Sequence, residues 1–278
     1  MKDISDISNI LELGENGIYF SETCETVSFP DDGHQIYARI EDRSFWFKHR
    51  NDCIISAVSN FRPPNDGVIF DVGGGNGFVS MGLKSKGFKV ALLEPGIQGA
   101  LVAKQRDIDT VICATVESAK IHSESLPAVG LFDVLEHIKY DKEFLFLLQD
   151  LLKKNGRLYI TVPAWKSLWS HEDIIAGHYR RYSLRSIEEL IKKVGFEIEY
   201  SSYFFRPLPL PIFLLRTLPF NFGLKSVSSV SSPKKDHQLS SGVSTYIINK
   251  LLSSEVTSIR NKEKMRFGAS CLIVAKKL

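Results

Sequence analysis

The sequence predicts an α/β protein built on a seven-stranded, mostly parallel sheet with helices on both faces. Three observations predict it. Between residues 62 and 202, short apolar runs alternate with helix-forming segments, the pattern of parallel strands joined by crossover helices. The first run passes into a glycine cluster and then a helix-forming stretch, Val68-Ile-Phe-Asp-Val-Gly-Gly-Gly-Asn-Gly-Phe78. Two later runs end in acids, Glu94 and Asp133. In open parallel sheets, ligands sit in the crevice outside the carboxyl ends of the strands.

Taken in order, residues 1–40 read as irregular, with strand-like pieces at Gly17-Ile-Tyr-Phe20 and Gln35-Ile-Tyr-Ala38. Residues 41–61 read as a helix carrying Ser44-Phe-Trp-Phe-Lys-His-Arg-Asn51, and Pro63 and Pro64 stop it. Strands are expected at 67–72, 89–94, 110–114, 128–133 and 157–162. Helices are expected at 78–86, 97–105 and 142–154, with Gly156 ending the last. A further helix runs from 184 to 194, with Ser186 and Glu189 as a capping box and Gly195 at its end. Strands at 196–205 and 269–276 complete the seven. Between those two the pattern breaks. Residues 204–224 are apolar and interrupted by proline, 225–242 are rich in serine and lysine and read as mobile, and 243–252 suit an amphipathic helix. The expected organisation is a lid segment at 1–61, a core at 62–202, an apolar and mobile insertion at 203–266, and a final core strand at 267–278.

Composition narrows the class. At 278 residues the chain can bury a full core, and one domain with additions is expected rather than two. The net charge of +3 is too small to point to nucleic acid by itself. Cys24, Cys53, Cys113 and Cys271 form no C-x-x-C pair, which argues against a zinc site and against a disulfide scaffold. Residues 1–17 hold no apolar signal core, and no run reaches about 18 uncharged apolar residues. The expectation is a soluble, cytoplasmic protein.

The glycine loop is not of the dinucleotide type, G-x-G-x-x-G. Counting from Gly73 the last position is Phe78, and from Gly75 it is Ser80. The pattern is Asp71-x-Gly73-x-Gly75-x-Gly77. It resembles motif I of class I S-adenosylmethionine-dependent methyltransferases, whose core is Rossmann-like. The resemblance implies that Asp71, Gly73, Gly74, Gly75 and Gly77 pass beneath the aminoacyl tail and ribose of S-adenosyl-L-methionine. The bland alternative is a glycine-rich turn without a ligand. Glu94, followed by Pro95, ends a buried run 17 residues past Gly77, near the spacing at which an acid reaches ribose hydroxyls (about 20 residues). A carboxylate accepts two hydrogen bonds from a vicinal diol.

The string Phe132-Asp-Val-Leu-Glu-His-Ile138 resembles the corresponding motif of the same methyltransferases, particularly the ubiquinone-biosynthesis branch. It implies that Phe132 and Asp133 lie near the aminoacyl end of the cofactor. Thr115, Val116 and Glu117 would flank the adenine, with Val116 standing where the family often has an acid. His137 has two readings: a base touching substrate, or a structural residue starting the next helix.

The third cluster runs from Trp165 to Tyr182 and overhangs the mouth of the cleft. Its form, W-S-x-x-D-x-x-x-G-H-x-R-R-Y, resembles a bacterial methyltransferase group associated with glycan or lipid biosynthesis clusters. Phe45-Trp46-Phe47 and His49-Arg50-Asn51 recur in that group, and the resemblance covers most of residues 28–205 and the final strand. Trp46 and Arg50 are expected to close the cofactor site from the N-terminal side. Trp165, Trp169, Arg180, Arg181 and Tyr182 are candidates for substrate contact, the arginines by bidentate pairing with an anionic group. Alternatively the cluster is a capping loop whose arginines pair with Glu172 and Asp173. His178 is the preferred base, with His137 its rival, because methyl transfer to oxygen requires proton removal near neutrality.

The expected reaction is transfer of a methyl group to a small molecule, most readily to oxygen on a glycan, lipid-linked or quinone-like acceptor. A cofactor-binding protein without catalysis is one alternative. A nucleic-acid methyltransferase is another, but the mild charge and the lack of an Asn/Asp-Pro-Pro-Tyr/Phe string weigh against it. The apolar stretch 207–215 suggests a lipid-linked or isoprenoid substrate, or peripheral membrane contact. The favoured reading is an ordinary buried lid segment.

Overall fold

The computed structural model describes residues 4–21, 41, 44–223 and 243–278. The strand-like piece at 35–38 and the serine- and lysine-rich stretch lie outside the described residues. Among the described residues nine strands form one sheet in the order β1-β2-β5-β4-β3-β6-β7-β9-β8. Strands β3 (Ile69–Val72), β4 (Val90–Leu93), β5 (Thr110–Cys113), β6 (Leu126–Phe132) and β7 (Leu152–Pro163) pair in parallel. Strands β8 (Phe196–Phe204) and β9 (Ser270–Lys277) close the far side antiparallel. These are the seven expected strands. Two short strands, β1 (Glu12–Leu13) and β2 (Tyr19–Phe20), extend the sheet beyond β5.

The sheet is buried on both sides, which is why its strands read as continuous apolar runs rather than alternating ones. On one side Ile69, Val90 and Ala128 pack under helices α1 (Phe45–Asn60), α2 (Phe78–Ser85) and α7 (Val243–Arg260). On the other, Phe70, Leu93, Leu131 and Ile160 pack under α4 (Asp141–Leu151) and α6 (Leu184–Lys193). Helix α3 (Ile97–Gln105) sets Ala100 and Ala103 against Leu92 and Val111. The order reverses at β3, which lies between β4 and β6. Such a switch point opens a crevice at the carboxyl ends of the central strands.

Three sequence expectations need correction. The helix expected at 142–154 ends at Leu151, because Leu152 turns extended and pairs with Leu126. Lys153 to Gly156 then bulge out of register before Arg157 rejoins opposite Ala128. The capping box of α6 is formed by Ser183 and Ser186, whose hydroxyls each accept the other's backbone N–H at 3.1 and 2.9 Å. Ser183 holds the extended backbone that a cap requires, while Glu189 pairs with Arg185 on the surface at 2.9 Å. The favoured burial of 207–215 also fails, since Leu210, Leu214 and Leu215 are exposed.

α1 and α7 are built into the covering layer. Cys53, Ile54, Ala57 and Val58 of α1 are buried, as are Leu252, Glu255 and Ile259 of α7. Ser44 caps α1 by accepting the Trp46 N–H, which starts the helix where the sequence turns aromatic. No described helix is long and apolar enough to cross a membrane.

Candidate functional site

Beyond β3 the backbone turns through Gly73 at φ +67 and Gly75 at φ +54, then enters α2. Only glycine takes such angles without strain. A Cβ on Gly73 would come within 2.9 Å of the Val134 side chain, whereas one on Gly75 would meet nothing within 4 Å. The first glycine lets two chain segments touch, and the second borders open space. Glu94, at the end of β4, is buried beside this loop. Its two carboxylate oxygens accept the N–H of Gly75 at 2.9 Å and of Gly96 at 2.8 Å.

A cavity of about 480 Å³ opens at the carboxyl ends of β3, β4 and β5, within the usual size of small-molecule sites (about 300–1,000 Å³). The predicted Gly73, Pro95, Thr115, Val116 and His137 all line it. So do Val134, Tyr140 and Phe144, which the sequence reading missed. The four-residue spacing of Tyr140 and Phe144 across the start of α4 was the available signal.

Asp71 points away from that space. It is fully buried on β3 and accepts the Ser80 hydroxyl of α2 at 2.6 Å, pinning the helix to the strand below the loop. Burial pushes its carboxyl from 3.8 up to about 6, against the opposing effect of the Ser80 hydroxyl. The folded state therefore holds this proton more tightly than the unfolded chain does. The stability this brings is complete below about pH 4 and is lost as pH rises through 6. The shift corresponds to roughly 3 kcal/mol. Asp71→Asn should keep the Ser80 contact and flatten this slope. Denaturant unfolding between pH 4 and 8 checks it, and an unaltered pH profile would place the titration elsewhere.

The predicted Arg50 and Trp46 meet the other wall. The Arg50 Nη2 donates to the Phe132 carbonyl at 2.5 Å, and its Nε lies 2.6 Å from Asp133 as an ion pair whose N–H is not aligned for a hydrogen bond. Asp133 holds φ +58, a strained angle for a non-glycine residue. The guanidinium lies 5.5 Å from the Trp46 ring, and that ring stacks on Phe205. Asn51 donates to the Phe78 carbonyl at 3.2 Å, so α1 also grips the first turn of α2.

After β7 the chain enters the polar cluster. Asp173, on the short helix α5 (His171–Ile175), organises it. Its oxygens take the His178 Nδ1 at 2.9 Å, the Arg181 Nε at 2.7 Å and the Ser170 N–H at 2.9 Å. Burial would raise this carboxyl, but hydrogen bonds from His178 and Arg181 outweigh that and hold it at about 2. The rings of His178 and His137 meet edge to face, 4.7 Å apart. Burial, and next the neighbouring His178, lower His137 to about 4, so it is neutral near pH 7. Glu136 is buried with one carboxylate oxygen unpartnered; burial, and next Asp133, push its carboxyl well above the usual range.

The other candidates are held by the protein itself. Arg180 pairs with Asp141 at 2.7 Å and donates to the Lys139 carbonyl. The Tyr182 hydroxyl donates to Asp141 at 2.8 Å, and Trp165 donates to the Gly268 carbonyl while stacking on Tyr203. The capping-loop reading thus describes Arg181, with Asp141 supplying the partner for Arg180 that the sequence did not indicate. Trp169 is half-buried beside them.

Among the described residues, two groups of side chains bring three potential metal-ligand atoms within 4.8 Å of one another: His49, Cys53 and Glu255, and Glu136, His137 and His178. In the first, Glu255 already accepts the His49 ring and the N–H groups of Phe205 and Arg206. In the second, His137 borders the cavity.

The sheet order, the glycine turn and the crevice define the class I methyltransferase fold. Known proteins agree. A methyltransferase-domain family model matches residues 46–201, and the chain belongs to this family. It is similar to the mitochondrial ubiquinone biosynthesis O-methyltransferase of Schizosaccharomyces pombe, with 30% identity over 100 residues, 34% of this chain and 36% of that protein. The matched stretch therefore spans about a third of that relative's length. A Thermotoga maritima S-adenosylmethionine-dependent methyltransferase shares the fold at a TM-score of 0.55 and 16% identity, over 89% of this chain and 96% of that one. Phosphoethanolamine N-methyltransferase 2 of Haemonchus contortus, in complex with S-adenosyl-L-methionine, does so at 0.54 and 20%, over 90% and 58%.

Proposed function

We propose that this chain is an S-adenosylmethionine-dependent methyltransferase that methylates a hydroxyl of a small molecule in the cytoplasm. The observation that carries the reading is the glycine turn bordering open space, with a buried carboxylate beside it and a cavity of about 480 Å³ adjoining. These features fit the cofactor. The exposed edge of Gly75 leaves room for a tail to pass close to the backbone. Glu94 is the carboxylate that a ribose diol would meet. Thr115, Val116 and Pro95 offer a largely apolar wall to a purine. Asp133, steered by Arg50, is placed for an amino group, and Phe132 and Trp46 close that end.

When bound, S-adenosylmethionine supplies a methyl group already activated on a sulfonium. The protein's task is then alignment, exclusion of water and removal of one proton. His178 takes that proton at Nε2, because Asp173 engages its Nδ1 and fixes the ring. Asp173 also stabilises the imidazolium that forms, as an orienting carboxylate does in other histidine-based sites. Arg180, Arg181, Tyr182 and Trp165 frame the loop, leaving Trp169 to face the acceptor. The resemblance to glycan-cluster enzymes and to the quinone branch makes sugar nucleotides, lipid-linked glycans and phenols the acceptors to screen.

With an acceptor in hand, His178→Ala should lower turnover about 10²–10⁴-fold while affinity for S-adenosylhomocysteine stays nearly fixed. Full turnover in His178→Ala with a loss in His137→Ala would exchange the two roles. Chelation tests the remaining reading of the pair: activity lost to chelator and restored by a divalent cation would make the histidines metal ligands rather than bases.

A further inference from the structure

Residues 207–223 form an apolar surface to which the proposed methyl transfer assigns no role. Pro209–Ile212, Phe213–Thr217 and Leu218–Asn221 run on as one helical rod, with a π-helical stretch in the middle. Pro209 and Thr217 are buried, and Ile212 packs against the core around Phe205. The outer side carries Leu210, Leu214, Leu218 and Phe222, four residues apart, with Phe213 and Leu215 beside them. Leu210, Leu215 and Phe222 are 64%, 70% and 73% exposed. The rod lies against Lys166–Leu168 and α5, and α5 adds the exposed Ile174 and Ile175. Single exposed leucines are ordinary, but a contiguous apolar surface marks an interaction site. This rod lies outside the residues matched by the family model.

The charge pattern selects the partner. Between Glu199 and Asp236 the sequence has five arginines and lysines and neither aspartate nor glutamate. Arg206 and Arg216 belong to the described part. α5 contributes one surface acid, Glu172. Leucine and phenylalanine bordered by cations, with few acids, is the composition that settles into the headgroup region of an anionic bilayer. We propose that the rod docks this chain onto an anionic lipid surface, which brings the loop bearing His178 to the lipid interface. The proposal stands apart from methyl transfer, and its test involves none.

The full chain would be sedimented with vesicles of phosphatidylcholine alone or mixed with phosphatidylglycerol. Binding is expected to the anionic vesicles and to weaken with added salt. The double variant Leu214→Asp/Leu215→Asp, changed only at exposed positions, should bind about tenfold more weakly or worse at an unchanged melting temperature. As a second readout, the fluorescence of Leu215→Trp should be quenched by brominated lipids in anionic vesicles. Absence of the native chain from anionic vesicles at low salt, with Leu215→Trp unquenched, would overturn the proposal. So would a dimer in solution that the double variant dissolves, because a second copy would then cover the rod.

Discussion

Glu94→Ala should weaken binding of S-adenosylhomocysteine by about a hundredfold or more. The carboxylate has two tasks in the proposed complex. It accepts the N–H groups of Gly75 and Gly96, and so holds the loop in the shape that borders the cavity. In the proposed complex it also meets the ribose hydroxyls. Each hydrogen bond to a charged group contributes roughly 1.5–3 kcal/mol, and losing two costs about 3 kcal/mol at least, or about two decades in affinity. Gly75→Val tests the same site without touching charge. Its φ of +54 is unfavourable for a β-branched residue, and the new side chain would fill the space left open there. Calorimetric titration reads both, with circular dichroism to verify the fold. Unchanged dissociation constants in both variants would remove the cofactor assignment of this loop.

Glu255→Ala should produce the largest loss of stability. Glu255 is fully buried on α7, with one oxygen on the Phe205 N–H and the His49 ring and the other on the Arg206 N–H. The side chain joins α1, α7 and the end of β8, across more than 200 residues between His49 and Glu255. Removing it leaves donors without an acceptor, in a place water reaches poorly. The cost is roughly 3–5 kcal/mol, which lowers the melting temperature by on the order of 10 °C. Glu255→Gln, which keeps one acceptor oxygen, should lose less. Scanning calorimetry distinguishes them. A drop of only a degree or two in Glu255→Ala would mean that water or a neighbour satisfies the same groups.

What the chain made legible was local. Ile69, Phe70, Val72 and the glycines after them set a strand, a turn and a helix start within a dozen residues. Glu94 and Asp133 mark strand ends by position alone. That is enough to infer the parallel order and the crevice, since the handedness of crossover connections leaves few topologies. The family motifs supplied the cofactor. Boundaries were less legible where local preference and pairing compete: Leu152 continues the apolar spacing of α4, yet the sheet claims it.

The partners of the charged residues were decided by tertiary structure. Two arginines beside Glu172 and Asp173 invite local pairing, but Arg180 turns to Asp141, which α4 brings within reach. Asp173 gathers His178, Arg181 and Ser170 from within eight residues of itself, the local pairing that the capping-loop reading allowed for Arg181. The rod at 209–221 reads as core in sequence, being leucine, phenylalanine and proline, yet it lies on the surface because α1, α7 and β8 already fill the space beneath it. The sequence by itself determined the strands, the glycine turn and the acids at the cleft, because backbone geometry and burial follow from neighbours in the chain. That Arg180 meets Asp141, that His49 meets Glu255, and which apolar face is left for a partner, only the tertiary structure decided, because those features join residues far apart in the chain or depend on what else has been packed.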